Sequence, residues 1–269
     1  MKLSCQEHLI PGESLVQKWE HLQSWGYDAI ELHGHGDFVF RARLDELQAA
    51  RRAGVAMPTV CVIMDHFIGD FDAGKRRDAI ENMKSLLSVM SEIGGEGAIT
   101  PASYGMFSRR LPPYEPPRTE AEDRAVLVEG LTELGEHAGR EGVRVYLEPL
   151  NRYEDHMVNS LAQAVELGHE VGLDSVKVMG DLFHMNLEED DPPASIRAAG
   201  GHLRHVHLAD SNRAHPGTGH VDFAGALAAL RDIGFDGYMA LECGLRGDAS
   251  MVLPEVARYL RGLGPTAPV

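Results

Sequence analysis

Short runs rich in Val, Ile, Leu and Tyr alternate with longer amphipathic stretches along the whole chain. The segments 2–7, 27–32, 56–64, 97–100, 143–148, 175–181, 203–209 and 238–242 have the length and apolar content of strands. Between them, 14–26, 44–54, 75–94, 120–142, 160–172, 192–201, 222–234 and 250–263 repeat apolar residues at helical spacing. Helix punctuation supports this division. Ser160 and Asp222 stand at N-caps, Pro192 and Pro193 in a first turn, and acids open 120–142. Gly26 and Gly54 close the first two helices.

Eight strand–helix pairs in regular alternation predict parallel strands joined by helical crossovers. Eight such pairs in 269 residues fit an α/β fold, a single-domain (β/α)8 TIM barrel over 1–264, with 265–269 as a frayed tail. An open doubly wound sheet is the alternative, but no Gly-x-Gly-x-x-Gly follows the first strand. The longest irregular connection, 101–118, carries five prolines after the fourth strand. It reads either as a binding loop or as a rigid surface loop.

In such a barrel, chemistry collects at the C-terminal ends of the strands. The fifth to eighth strands end in Glu148, Asp181, His207 and Glu242. Alternation puts Tyr146 and Glu148 on one face of the fifth strand, opposite Val143, Val145 and Leu147. Tyr238, Ala240 and Glu242 share a face of the eighth, and His205 lies one layer beneath His207 on the seventh. Three carboxylates and an imidazole converging on one point repel one another and lose solvation unless a cation joins them. An oxygen-rich set with one imidazole suits Mn2+ first, with Mg2+ or Co2+ as alternatives. Zn2+ is disfavoured because no cysteine joins the set. Glu154, His184 and Arg213 follow these strand ends closely; taken alone each also fits a solvated acid, a loop histidine and a surface ion pair. His33, His35, Asp65 and His66 sit at the ends of the second and third strands, where they read as ligand contacts or as loop residues.

Composition narrows the function classes. Lys plus Arg number 25 against 41 Asp plus Glu, a net charge of −16, which disfavours nucleic acid as a partner. Three widely spaced cysteines suggest a reducing, cytoplasmic setting. The N-terminal residues lack the apolar region of a signal peptide, and no apolar run approaches the roughly 18–20 residues that span a bilayer.

The motifs LEPLNRYEDHMVN, GDLFHMNLEE and HVHLADSNRAHPGTGHVDF, with LE at the last strand, resemble the ketose 3-epimerases related to D-tagatose 3-epimerase. These belong to the xylose-isomerase-like barrel superfamily. The resemblance implies a divalent cation on Glu148, Asp181, His207 and Glu242, with Glu148 and Glu242 doubling as acid/base catalysts. It implies that Glu154, His184 and Arg213 hold the oxygens of a keto sugar near C1–C3, and that the protein is a homodimer or homotetramer. The expected reaction is C3 epimerisation of a ketose through a cis-enediolate, for which a base and a Lewis acid are required.

Aldose–ketose isomerisation uses the same groups. So does elimination from a keto-inositol or cleavage of a 3-keto-glycoside. An endonuclease IV-like repair enzyme requires further histidines and a basic surface; AITPASYG after the fourth strand supplies no histidine. A non-catalytic sugar-binding barrel ranks last, because all four ligand positions and both bases are present.

Overall fold

Each apolar run becomes a strand, and the strands close on themselves. The computed structural model describes residues 1–108, 112 and 115–264; the expected frayed tail lies outside the described residues. The strands are β1 (Lys2–Gln6), β2 (Ala29–His35), β3 (Thr59–Ile63), β4 (Gly97–Pro101), β5 (Arg144–Glu148), β6 (Val176–Asp181), β7 (Leu203–Leu208) and β8 (Tyr238–Leu241). They run parallel in chain order, and β8 pairs with β1 to close the barrel. The (β/α)8 expectation holds, and the open-sheet alternative falls with that closure.

The eight expected helices are present: α1 (Leu15–Trp25), α3 (Leu44–Arg52), α4 (Ala73–Glu92), α5 (Glu120–Glu141), α6 (Leu161–Val171), α8 (Pro192–Ala199), α9 (Phe223–Asp232) and α10 (Ala249–Gly262). Two short helices, α2 (Val39–Ala42) and α7 (Leu182–Glu188), add to them. The ends obey local chemistry. Thr119 and Ser160 make full capping boxes at α5 and α6, and Gly26, Gly142 and Gly172 take the left-handed conformation that closes α1, α5 and α6.

The main core lies between barrel and helices, with Leu32, Leu47, Met83, Leu131 and Leu253 almost wholly buried. A second, small cluster of Cys61, Ile99, Tyr146 and Met179 fills the barrel interior. Gly97 makes room for it: a Cβ there would sit 2.7 Å from Tyr146 Cε2 and 2.1 Å from the Arg144 carbonyl oxygen. Two residues beyond Tyr146 and Met179, the same strands deliver Glu148 and Asp181, so the interior turns polar towards the C-terminal mouth.

Candidate active site

Glu148, Asp181 and His207 end or nearly end β5, β6 and β7, and Glu242 follows β8. Asp181 and His207 are fully buried, and Glu148 nearly so. One donor atom from each of the four lies within 4.8 Å of all the others. His207 Nδ1 lies 3.5 Å from Glu148 Oε1 and 3.3 Å from Glu242 Oε2. Glu148 Oε1 and His207 Nδ1 are buried with no hydrogen-bond partner. Such atoms are costly unless something satisfies them, and both face one point. Three hard oxygens and one imidazole nitrogen therefore fit a divalent cation. Among the described residues, every converging group of potential ligands includes His207, which makes this one centre rather than several.

His207 is oriented by a residue that the strand-end pattern does not single out. Glu31 on β2 is fully buried. Its Oε1 lies 2.8 Å from His207 Nε2, and its Oε2 lies 2.8 Å from His205 Nε2. A carboxylate at Nε2 fixes a proton there and makes Nδ1 the nitrogen that a cation would take. Thr59 Oγ1 donates to Glu31 Oε2 at 2.7 Å. Burial alone would push the Glu31 carboxyl up, but His207 and His205 outweigh it and hold the group well below the carboxylate range. Burial likewise opposes charge on His207, yet Glu31 and Glu242 raise it well above an ordinary histidine. His205, one layer down, is lowered by burial. The sequence signal for Glu31 is an acid inside the apolar run YDAIEL.

The three further candidates come together beside the cluster. Arg213 takes a left-handed backbone conformation (φ 57°). From it Nη1 donates to Asp181 Oδ2 at 2.9 Å and Nη2 donates to Glu242 Oε2 at 2.7 Å. The loop that holds Arg213 is knotted around Asp210, whose carboxylate accepts backbone N–H groups from Ser211, Gly217, Thr218 and Val221. His184 is presented by α7, for which Asp181 is the N-cap. The Asn151 backbone N–H donates to His184 Nδ1 at 3.1 Å, which leaves Nε2 beside Arg213 Nη1 at 3.0 Å and Glu154 Oε2 at 4.0 Å. Asn151 Nδ2 also donates to Glu154 Oε1 at 3.0 Å, tying these candidates together.

The two candidate acids differ. Burial pushes the Glu148 carboxyl up. Burial acts on Glu242 too, but His207 and Arg213 outweigh it and hold that carboxyl far down. Of the second- and third-strand residues, His33 joins the site through Gln6, whereas His66 is turned to Asp78, 2.8 Å away. His35 and Asp65 line a separate cavity at the mouth with Asp37, His66 and Asn82.

A closed parallel barrel whose mouth gathers three carboxylates, an imidazole and an arginine defines an enzyme of polar small-molecule chemistry. Residues 19–263 match the Xylose isomerase-like TIM barrel family, and the chain belongs to it. It is 36% identical over 249 residues to 3-dehydro-D-guloside 4-epimerase of Escherichia coli (strain K12), covering 92% of this chain and 94% of that one. A D-psicose 3-epimerase of Agrobacterium fabrum is 41% identical over 129 residues, 48% of this chain and 45% of that protein. Among solved structures, the apo 3-keto-D-glucoside 4-epimerase of E. coli superposes with a TM-score of 0.92 at 35% identity, covering 97% of this chain and 99% of that one. A D-psicose 3-epimerase crystallised with D-fructose gives 0.81 at 26% identity, covering 97% of each chain. The relatives are sugar epimerases, and this chain is an isomerase of that kind. Among the described residues, no helix is long and apolar enough to cross a membrane.

Proposed function

We propose that the protein inverts a carbon next to the carbonyl of a keto sugar, using Glu148 and Glu242 as a pair of proton-transfer groups. The observation that carries this reading is their convergence: Glu148 Oε1 and Glu242 Oε2 both approach His207 Nδ1, at 3.5 and 3.3 Å. A divalent cation held by Glu148, Asp181, His207 and Glu242 would supply Lewis acidity that stabilises the negative charge of the cis-enediolate. We favour Mn2+, with Mg2+ or Co2+ as substitutes, because the donors are mostly carboxylate oxygens.

Of these two carboxylates in the cluster, one takes the proton from the carbinol carbon and the other returns a proton to the opposite face. The roles exchange in the reverse direction. Arg213, His184 and Glu154 stand where they can hold the carbonyl and hydroxyl oxygens flanking that carbon.

Two substrate classes fit this chemistry. The motifs support a free ketose epimerised at C3. The relative aligned over 94% of its own length acts, by its name, on a 3-dehydro-guloside at C4, and this favours a 3-keto-hexoside. Both place a ketone beside an inverted carbinol. The three cysteines are free and buried, which supports a reducing cytoplasmic setting. The homodimer or homotetramer rests on the family resemblance.

The test is incubation of Mn2+-loaded protein in D2O with free ketoses and with methyl 3-keto-hexosides, followed by NMR. The expected result is deuterium at the inverted carbon with formation of the epimer, in one class far faster than in the other. Aldose formation instead would make it an aldose–ketose isomerase, and loss of the aglycone or of water would make it a lyase.

A further inference from the structure

Gln6 is the last residue of β1. Register places it between two acids: it is the direct partner of Glu31 on β2, and on its other side Cys5 pairs with Leu241, the residue before Glu242. Its side chain is buried. Nε2 donates to Glu31 Oε1 at 3.2 Å and to Glu242 Oε1 at 3.0 Å. Only the NH2 end of an amide can face two carboxylate oxygens, so the orientation of Gln6 is fixed. Its Oε1 then lies 3.3 Å from His33 Nε2 and accepts from it when that nitrogen carries the proton; the same nitrogen meets His8 Nδ1 at 2.9 Å. His33 is itself held. Its backbone N–H donates to Glu7 Oε1 at 2.7 Å, and Arg43 grips both Glu7 oxygens at 2.8 Å. The His8 ring stacks on His33 with centroids 4.4 Å apart.

We propose that Gln6 is a positioning residue for Glu242, and that His33 locks the Gln6 amide. Glu242 Oε2 points into the cluster, 3.3 Å from His207 Nδ1, where Arg213 Nη2 also donates to it at 2.7 Å. Oε1 is turned away and tied to Gln6, with Cys61 Sγ as a further neighbour at 3.6 Å. A carboxylate held by one oxygen presents the other in a fixed plane, towards the cation and the carbon it is to deprotonate.

The inference rests on the reading of Glu242 as cation ligand and base. Its test uses Gln6→Leu, which keeps the volume and removes the donor, and His33→Ala, which leaves Gln6 in place but unlocks its amide. Each is loaded with Co2+, whose visible absorption reports ligand number and symmetry. With Glu242 free to swing both oxygens inward, Gln6→Leu is expected to shift the Co2+ bands at unchanged metal content. His33→Ala is expected to shift them in the same sense by less. On the sugar that the unsubstituted protein turns over, kcat falls about 10- to 100-fold in Gln6→Leu, as expected for loss of a hydrogen bond to a charged group, while KM stays within about twofold. Adding His33→Ala to Gln6→Leu causes no further loss, because His33 acts through Gln6.

Identical Co2+ spectra for the unsubstituted protein and both variants overturn the proposal, and so does an additive loss in the double variant. If Gln6→Leu fails to fold, the His33→Ala spectrum decides alone. The spectrum needs no substrate, so it judges Gln6 even where the sugar panel gives no exchange; that failure counts against the epimerase reading.

Discussion

A histidine can hold a cation through only one nitrogen at a time, and here the choice is made by Glu31. It is buried beneath the candidate metal ligands and accepts from His207, so Nδ1 is left facing the carboxylates. Removing Glu31 should therefore cost both metal affinity and stability, since two buried imidazoles lose their shared partner. For Glu31→Ala we expect Mn2+ to bind about 10- to 100-fold more weakly in a calorimetric titration. The fold should lose about 3–5 kcal/mol in chemical denaturation, the range for breaking a buried charge pair. An unchanged Mn2+ affinity would remove Glu31 from the account. The strand-end residues Glu148, Asp181, His207 and Glu242 were legible because alternation and barrel polarity place them without knowledge of contacts. Glu31 and Gln6 were not. Period-two alternation says which side chains point inward, but not which ones from different strands meet. Gln6 reaches Glu242 only because β1 pairs with β8, a contact across 236 positions of sequence.

At the scale of elements, all eight strands and the eight long helices were legible, because caps, prolines and glycines agree with the apolar spacing. The missed helix α7 has a physical reason. It is a seven-residue segment, too short for apolar spacing to mark it, and its N-cap is the candidate metal ligand Asp181, which accepts from the Phe183 backbone N–H at 2.7 Å. The same residue thus ends a strand, starts a helix and faces the cluster. Elsewhere the elements are joined by ion pairs whose effect depends on pH. Glu133 on α5 takes Arg77 of α4 through both oxygens, at 2.7 and 2.9 Å, and Lys84 at 2.5 Å. Arg77 chiefly, then Lys84, lower its carboxyl from 4.5 to about 2. A depressed folded-state value means that the contribution is complete above about pH 4.5 and is lost as pH falls towards 2. The site is partly exposed, so solvent screening keeps the contribution under about 1 kcal/mol. Denaturation of the parent protein and Glu133→Gln should therefore differ at pH 6 and converge only as pH falls to about 2. A gap that stays constant with pH would contradict this assignment.

For the whole molecule, closure of the barrel is what turns separate strand ends into one site. β5 to β8 bring the four candidate ligands, α7 and the loop after β7 bring His184 and Arg213, and β1 and β2 supply Gln6 and Glu31 from the other side of the seam. The net charge of −16 means that general surface charge gives no positive field to the mouth. What the sequence could not convey is the choice of sugar. The second and third strand ends are far in sequence from the motifs, and their His35 and Asp65 line a cavity of their own.

The most direct measurement follows the substrate proton in D2O with the Mn2+-loaded protein, Glu148→Gln and Glu242→Gln, starting from each epimer in turn. The account predicts solvent deuterium at the inverted carbon with the unsubstituted protein. It predicts that each variant retains bound Mn2+ but loses about 100-fold or more of its turnover, the scale of a missing general acid or base. Epimerisation at the full rate in either variant with metal bound, or inversion with the substrate proton retained throughout, would contradict proton transfer between two carboxylates.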